Sequence, residues 1–361
     1  YSQYEKASHL NNAAIFIGIG FLVKGLIIVF LTGIIFFLYL LFIGKLKIFF
    51  KAIMSYKPWA IFFLIIIPWT AVILLRLDFD AFVYLFFGQS FGRFSNTFES
   101  HTGPIYYYLI MLPFLILPFF TDFLKGFFSS KFKSNKLDMF FGIWFLFVLI
   151  FFSFSSTKLP HYLIYGLAPA VYFIERYHIN AAGKSLSLFA FIFQILIWSF
   201  LLVLPFYLSY LTEVMQTYEV SLNAIKSFAN DLSYQILIGI TLFCISICFF
   251  LKYDNVKVKK FSALAFIVIL SFKIAPFLHS ATQGDIKELG LYARAGDKQV
   301  SMYKVNKPSY AFYAQKKSFR GLRSNSLILT RKDKLELVDQ PFEVVRESEN
   351  YLIIEIKSDE N

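Results

Sequence analysis

Apolar residues fill this chain in long runs separated by short polar breaks. A window of about 19 residues finds such runs near 10–23, 26–43, 58–76, 105–121, 139–155, 161–177, 186–207, 234–251 and 260–278. They predict about nine membrane helices. Several, notably 10–23 and 139–155, fall short of the ~20 residues that an untilted span needs, so tilted, broken or re-entrant helices are expected. Pro58, Pro104 and Pro160 lie at predicted helix starts, where a missing N–H costs nothing. Pro68, Pro113, Pro118, Pro169 and Pro205 lie inside spans and read first as packing kinks whose freed carbonyls neighbouring helices satisfy.

After Ala275-Pro276 the pattern changes. Residues 279–361 carry 14 Lys/Arg and 12 Asp/Glu and hold no run long enough to span. The expected division is a multi-span region over 1–278 and a soluble α/β domain over 279–361. Segments 300–305, 326–330, 342–347 and 351–357 read as strands by their β-branched and aromatic content. Segments 308–317 and 331–339 read as short helices between them.

Composition makes the solvent explicit. Of 361 residues, 58% are hydrophobic, 48 are Phe and only 16% are charged, too little polar surface to cover a core of that size in water. Lipid is therefore the solvent for most of the chain, which excludes soluble Rossmann, TIM-barrel and nucleic-acid-binding classes. The net charge of +12 sorts by side: segments 44–57, 122–138, 175–184 and 252–260 hold 14 Lys/Arg, against four (Lys24, Arg93, Lys158 and Lys226) on the other side. The first set is predicted cytoplasmic. The loops 77–104, 155–160 and 208–233 and the C-terminal domain then face outward, into a periplasm if the membrane is a bacterial inner membrane. Cys244 and Cys248, at i,i+4 in an apolar run, read as core residues rather than a disulfide or thiolate metal site. No internal repeat of the inverted-transporter kind is visible. The chain opens on Tyr1, with no basic n-region, so residues upstream are expected.

The few outward cations are where chemistry is expected. The loop LDFDAFVYLFFGQSFGRFSNTFESHTGPIYYY holds Asp78, Asp80, Arg93, Glu99 and His101 among aromatics. Arg93 is either a bidentate phosphate ligand for an anionic lipid head group or an interfacial residue that snorkels. His101, near Glu99, is a weak candidate ligand for a divalent cation. Tyr106, Tyr107 and Tyr108 follow, and neighbours about 100° apart on a helix cannot all face the bundle. The short connection STKLPHYLIYG pins Lys158, His161 and Tyr162 at a helix mouth, where an ionisable group is costly without a partner. Lys24-Gly25, between two apolar halves, has the same two readings as Lys158: snorkelling, or contact with a lipid phosphate.

Taken in order, GFLVKG, FFGQSFGRF…SHTGPIYYYLIMLP, STKLPHYLIYGLAPA and the outer α/β tail resemble the GT-C membrane glycosyltransferases, most closely the ArnT-like, glycosyltransferase family 39 group related to protein O-mannosyltransferases. The resemblance covers about residues 10–320. It implies a helix bundle topped by periplasmic elements, and transfer of a sugar from a polyprenyl-phosphate donor to a lipid A, protein or glycan acceptor. It further implies donor-phosphate contacts at Lys158, Arg93 and Lys24, a cavity lined by Tyr107, His161 and Tyr162, and a metal site involving His101. Leu26 stands where the family usually has Pro after Lys-Gly. The family's catalytic Asp sits in a first outer loop that has no equivalent before residue 10, so the general base is expected upstream and the chain is expected to be part of a longer enzyme.

The implied chemistry is displacement at the anomeric carbon, with a carboxylate taking the acceptor proton and cations stabilising the departing phosphate. The competing class is transport, as a lipid-linked glycan flippase or small-solute carrier. A carrier needs ionisable residues at mid-membrane depth, and these spans are nearly devoid of them away from their ends. A non-enzymatic scaffold is the third reading.

Overall fold

The structure is a computed structural model that describes residues 7–76, 79–88, 103–181, 183–211 and 220–356. Its residues fall into two compact units, 1–183 and 184–361.

In the first unit, α1 (Ala7–Lys24) and α2 (Leu26–Phe42) are separated by Gly25, whose φ of 69° is open to glycine at little cost. The amphipathic α3 (Leu46–Ile53) leads into α4 (Tyr56–Arg76), which packs along α1 through Phe21 and Phe62. The short α5 (Phe79–Val83) and a π-helical turn (Tyr84–Gly88) follow, with Phe86 stacked on Phe21. Helices α6 (Tyr107–Leu115) and α7 (Phe120–Phe128) meet at 113°. Pro118 lies in the bend between them, where a helical backbone N–H is absent. The Asn135 side chain caps α8 (Lys136–Phe154), a Pro160–Gly166 3₁₀ turn follows, and α9 (Leu167–Ala181) completes the unit. Ring pairs Phe30–Phe151 and Tyr39–Phe140, both at 5.3 Å, lay α2 antiparallel along α8. The core gathers Tyr108, Phe123, Phe145, Val148, Phe152 and Phe173.

In the second unit, α10 (Leu188–Tyr210), α11 (Leu222–Ala229) and α12 (Leu232–Phe250) precede a continuous 41-residue helix, Asn255–Ala295. That helix comprises α13 (Asn255–Ile269), a π segment (Leu270–Ile274) and α14 (Ala275–Ala295). Side chains of Ser187, Ser221, Asp231 and Asp254 accept backbone N–H groups at the first turns of α10 to α13, as N-caps do. The upper half of α14 enters the α/β domain, where Ile286, Leu289 and Ala293 are core residues. There β1 (Gln299–Met302), α15 (Pro308–Ala314), β2 (Ser318–Arg320), β3 (Ser326–Arg331), a 3₁₀ turn (Lys332–Leu337), β4 (Phe342–Glu347) and β5 (Tyr351–Ile356) form a sheet of order β2-β1-β3-β5-β4. The first three strands are parallel; β5 pairs antiparallel to both β3 and β4.

The four strands expected from sequence are present, and the three-residue edge strand β2 is added. The expected boundary at 278 falls inside α14, because one helix serves first the apolar layer and then the domain core. The expected nine spans are not confirmed. Among the described residues five helices are long and apolar enough to cross a membrane (Tyr56–Arg76, Lys136–Phe154, Leu188–Tyr210, Leu232–Phe250 and Asn255–Ala295), or six if the bent α6–α7 pair is one span. Of the runs predicted as spans, 26–43 forms a 17-residue helix, and 161–177 a 3₁₀ turn plus a 15-residue helix.

Gly126 shows how tightly α7 and α9 meet: a Cβ there would lie 1.9 Å from the Phe173 carbonyl oxygen. Gly126→Ala is expected to cost about 3 kcal/mol, the upper end of overpacking. Gly33→Ala, in α2 where an added methyl would meet no atom within 4 Å, is expected to be neutral or stabilising. Detergent-solubilised thermal unfolding of the two variants checks this. A second expectation concerns pH. Burial alone would raise the Asp231 carboxyl, but hydrogen bonds from Ser233, Lys273 and the Tyr234 amide outweigh it and hold the group at about 2, below its ordinary 3.8. A depressed carboxyl stabilises fully above the unfolded value and loses that contribution as pH falls through the folded one. The unfolding midpoint of the protein should therefore exceed that of Asp231→Asn at pH 5, with the gap closing by pH 2.

Candidate functional site

The α8 C-terminus is the centre of the site. Its last carbonyls have no intrahelical partner, and Lys158, folded back under the Ser155–Leu159 turn, supplies three donors. Its Nζ donates to the carbonyls of Ser153 (2.5 Å), Ser155 (2.6 Å) and Phe152 (3.3 Å). Only 6% of Lys158 is exposed, and burial pushes its ammonium below the usual lysine range. Ser155 and Thr157 are buried beside it, with Ser155 Oγ donating to the Thr157 carbonyl.

Tyr108 locks the same turn from α6. Its hydroxyl donates to the Leu159 carbonyl and accepts from the Leu159 N–H, both at 3.1 Å, while its ring lies 6.0 Å from the Lys158 Nζ. Gly103 rests on the lysine stem: a Cβ there would meet Lys158 Cγ at 3.1 Å and the Tyr107 ring at 3.2 Å. Past Pro160, the Tyr162 and Tyr165 rings flank Phe152 at 4.9 and 5.6 Å.

The predicted residues are thus placed as follows. Lys158, Tyr107 and Tyr162 converge at one end of the bundle, Tyr107 and Tyr162 half-buried and His161 exposed beside them. Lys24 is exposed at the end of α1, next to the start of α2, which the Phe30–Phe151 pair sets toward the C-terminal end of α8. Arg93, His101, Asp78 and Glu99 lie outside the described residues. Among the described residues no three His, Cys, Asp or Glu side chains converge to hold a metal.

The opposite end of the same bundle holds ion pairs that the sequence expectations do not include. There Asp122 of α7 meets His178 Nε2 at 2.7 Å, and Asp138 of α8 meets Arg176 at 2.8 Å while accepting from the Tyr172 hydroxyl and the Lys131 N–H. Both carboxylates are fully buried. The signal available for them is a carboxylate in the first turn of one helix and a basic residue, Arg176 or His178, in the C-terminal part of another. Lys273, in the apolar stretch SFKIAPF, is likewise absent from those expectations, although an ionisable residue in such a run needs a partner; it pairs with Asp231 at 2.9 Å.

What this geometry does is hold one end of the bundle rigid. A buried ammonium, the tyrosines Tyr107, Tyr108 and Tyr162 and a short turn close it.

No protein-family model matches the chain. In sequence it is similar to an uncharacterized protein of Aquifex aeolicus (31% identity over 163 residues, 44% of this chain and 36% of that protein). It is also similar to the undecaprenyl phosphate-alpha-4-amino-4-deoxy-L-arabinose arabinosyl transferase of Photorhabdus laumondii (32% over 133 residues, 36% of this chain and 24% of that enzyme). The matched segment thus spans about a third or less of these relatives' length. In structure it is similar to ArnT from Cupriavidus metallidurans bound to undecaprenyl phosphate, with a TM-score of 0.73 and 15% identity over 96% of this chain and 68% of that one. By fold and by these matches the chain resembles the ArnT-like GT-C membrane glycosyltransferases, as the ordered motifs implied.

Proposed function

We propose that this chain acts in the transfer of a sugar from a polyprenyl-phosphate donor to a lipid A, protein or glycan acceptor at the periplasmic face of an inner membrane. The observation that carries this reading is the likeness of nearly the whole chain to an ArnT solved with undecaprenyl phosphate bound. The relatives named as arabinosyl transferases support the same donor class.

In this reading the leaving phosphate departs toward cations, and Lys158, Arg93 and Lys24 are those proposed. Lys158 meets it by exchanging one helix carbonyl for a phosphate oxygen, so the turn that the lysine caps also sets the position of the phosphate. Tyr107, His161 and Tyr162 line the approach. A carboxylate takes the acceptor proton, and none of the residues here is assigned that role. The Asp122 and Asp138 carboxylates lie in the first turns of their helices rather than midway along them, which favours chemistry at a surface over passage of a solute through the bundle.

Transfer from a polyprenyl-phosphate-linked sugar by membranes containing the full-length protein to which this chain belongs tests the reading. Lys158→Ala and Arg93→Ala are each expected to lower the rate about 10²–10³-fold, the size of removing one charge-stabilising group. Absence of transfer in the unaltered protein across pentose and hexose donors would refute the assignment. A separate expectation follows from the helix end itself: Lys158→Met leaves buried carbonyls unsatisfied and is expected to cost about 1–3 kcal/mol in thermal unfolding. Lys158→Arg should recover most of that loss.

A further inference from the structure

The near balance of charge in the C-terminal domain conceals a segregation. Residues 298–332 hold nine Lys/Arg and no Asp or Glu, whereas 333–356 hold seven Asp/Glu and two Lys/Arg. Chain topology decides where the cations go.

The strand ends have defined heights along α14. Lys316, just before β2, donates from Nζ to the carbonyls of Ala293 (2.8 Å) and Lys298 (2.9 Å), so β1 and β2 begin beside the far end of that helix. At the other end of the sheet, Arg331 of β3 pairs with Tyr351 of β5. The preceding turn is fastened low: the Asn350 N–H donates to Asp285 (2.8 Å), and Glu349 accepts from the Leu222 N–H (2.8 Å) and Ser221 Oγ (2.5 Å) at the start of α11. Ser221 in turn donates its N–H to the Ala281 carbonyl (2.9 Å). The C-terminal ends of the parallel strands therefore point back down the helix, toward its apolar half.

Asp285 stands seven residues beyond Leu278, where the apolar run ends. At a rise of 1.5 Å per residue that is about 10 Å. The head-group layer on each side of a bilayer is about 5–8 Å deep, and charge is felt across a further Debye length of about 8 Å. By this measure the edge of the sheet stands just beyond the head-group layer, within a Debye length of the lipid phosphates. It carries Lys304 and Lys307 after β1 and Arg320 at the end of β2, where Arg320 is in register with Met302 and reaches Asn306 at 3.4 Å. Lys304 and Arg320 are exposed, and neither is in an ion pair with a carboxylate of the described residues. Lys304 also holds a left-handed backbone (φ 54°), uncommon for a residue with a Cβ. The acids nearby are engaged: Asp333 by Arg331, Glu347 by Lys332, Glu349 by the α11 N-terminus.

We propose that Lys304, Lys307 and Arg320 form a lipid-phosphate site, binding anionic phospholipid head groups of the leaflet from which α14 rises and seating the α/β domain on that leaflet. Neither the motifs nor the relatives assign this domain edge a ligand, and the inference does not depend on the glycosyl-transfer reading.

The test uses the purified full chain in mixed micelles, titrated with head-group-labelled phosphatidylglycerol or phosphatidylcholine. Changing Lys304, Lys307 and Arg320 together to Glu is expected to weaken phosphatidylglycerol binding at least tenfold and to flatten its salt dependence, with phosphatidylcholine unaffected. The milder triple change to Gln should give an intermediate loss, keeping the test valid if the charge reversal disturbs folding by circular dichroism. Lys317→Glu with Arg323→Glu, which alters equally exposed cations near the starts of β2 and β3, is expected to leave binding intact. Unchanged binding in the rim variants, or equal loss in the control pair, overturns the proposal. Displacement of the lipid by millimolar inorganic phosphate overturns the lipid source in favour of a free-phosphate site.

Discussion

A helix that ends in or beside a bilayer leaves amides and carbonyls with no water to receive them, and an unsatisfied group there costs several kcal/mol. This constraint organises both units. At the end of α8 the carbonyls are taken by Lys158 and the turn is locked by the Tyr108 hydroxyl, a contact across 51 positions of sequence. At the start of α11 the amides are taken by Glu349, from a turn 127 positions away. Each closure fixes a distant segment, and each stands where the chain leaves the apolar layer.

The two ends of the first unit's bundle differ in what they hold. One end of the first unit carries two buried carboxylates, Asp138 paired with Arg176 and Asp122 in contact with the His178 ring. The other end carries Lys158 with Tyr107, Tyr108 and Tyr162, rigid enough to hold an ammonium within hydrogen-bond reach of a fixed point. A site that stabilises a departing phosphate needs such prior organisation, since reorienting dipoles during the reaction erodes the gain. In the second unit the turn before β5 ties the α/β domain to two helices, through Glu349 to the start of α11 and through the Asn350 N–H to Asp285 of α14.

Particular elements show what is readable beforehand. β3 and β5 are legible because runs such as SLILT and YLIIEI carry branched side chains in a fully buried strand pattern. β2 is not, since three residues with Ser and Arg carry no period and pair only because β1 lies alongside. The run 105–121 reads as one span, but Pro113 and Pro118 and the packing of α7 on α9 turn it through 113°. Lys158 stands out in the sequence as a costly residue at a helix mouth. That its partners are the carbonyls of the helix just before it is not legible, because the fold-back depends on Tyr108 and Gly103 closing the turn.

By itself the sequence determined the solvent, the helical class, the location of the small mixed domain and the short list of cations at helix mouths, because hydropathy and charge are sums over residues and need no geometry. Tertiary structure alone decided which runs form helices of spanning length, which carboxylate meets which partner, and which edge of the domain carries Lys304 and Arg320. Those depend on distances between residues far apart in the chain. No local pattern encodes a pairing such as Glu349 with the start of α11.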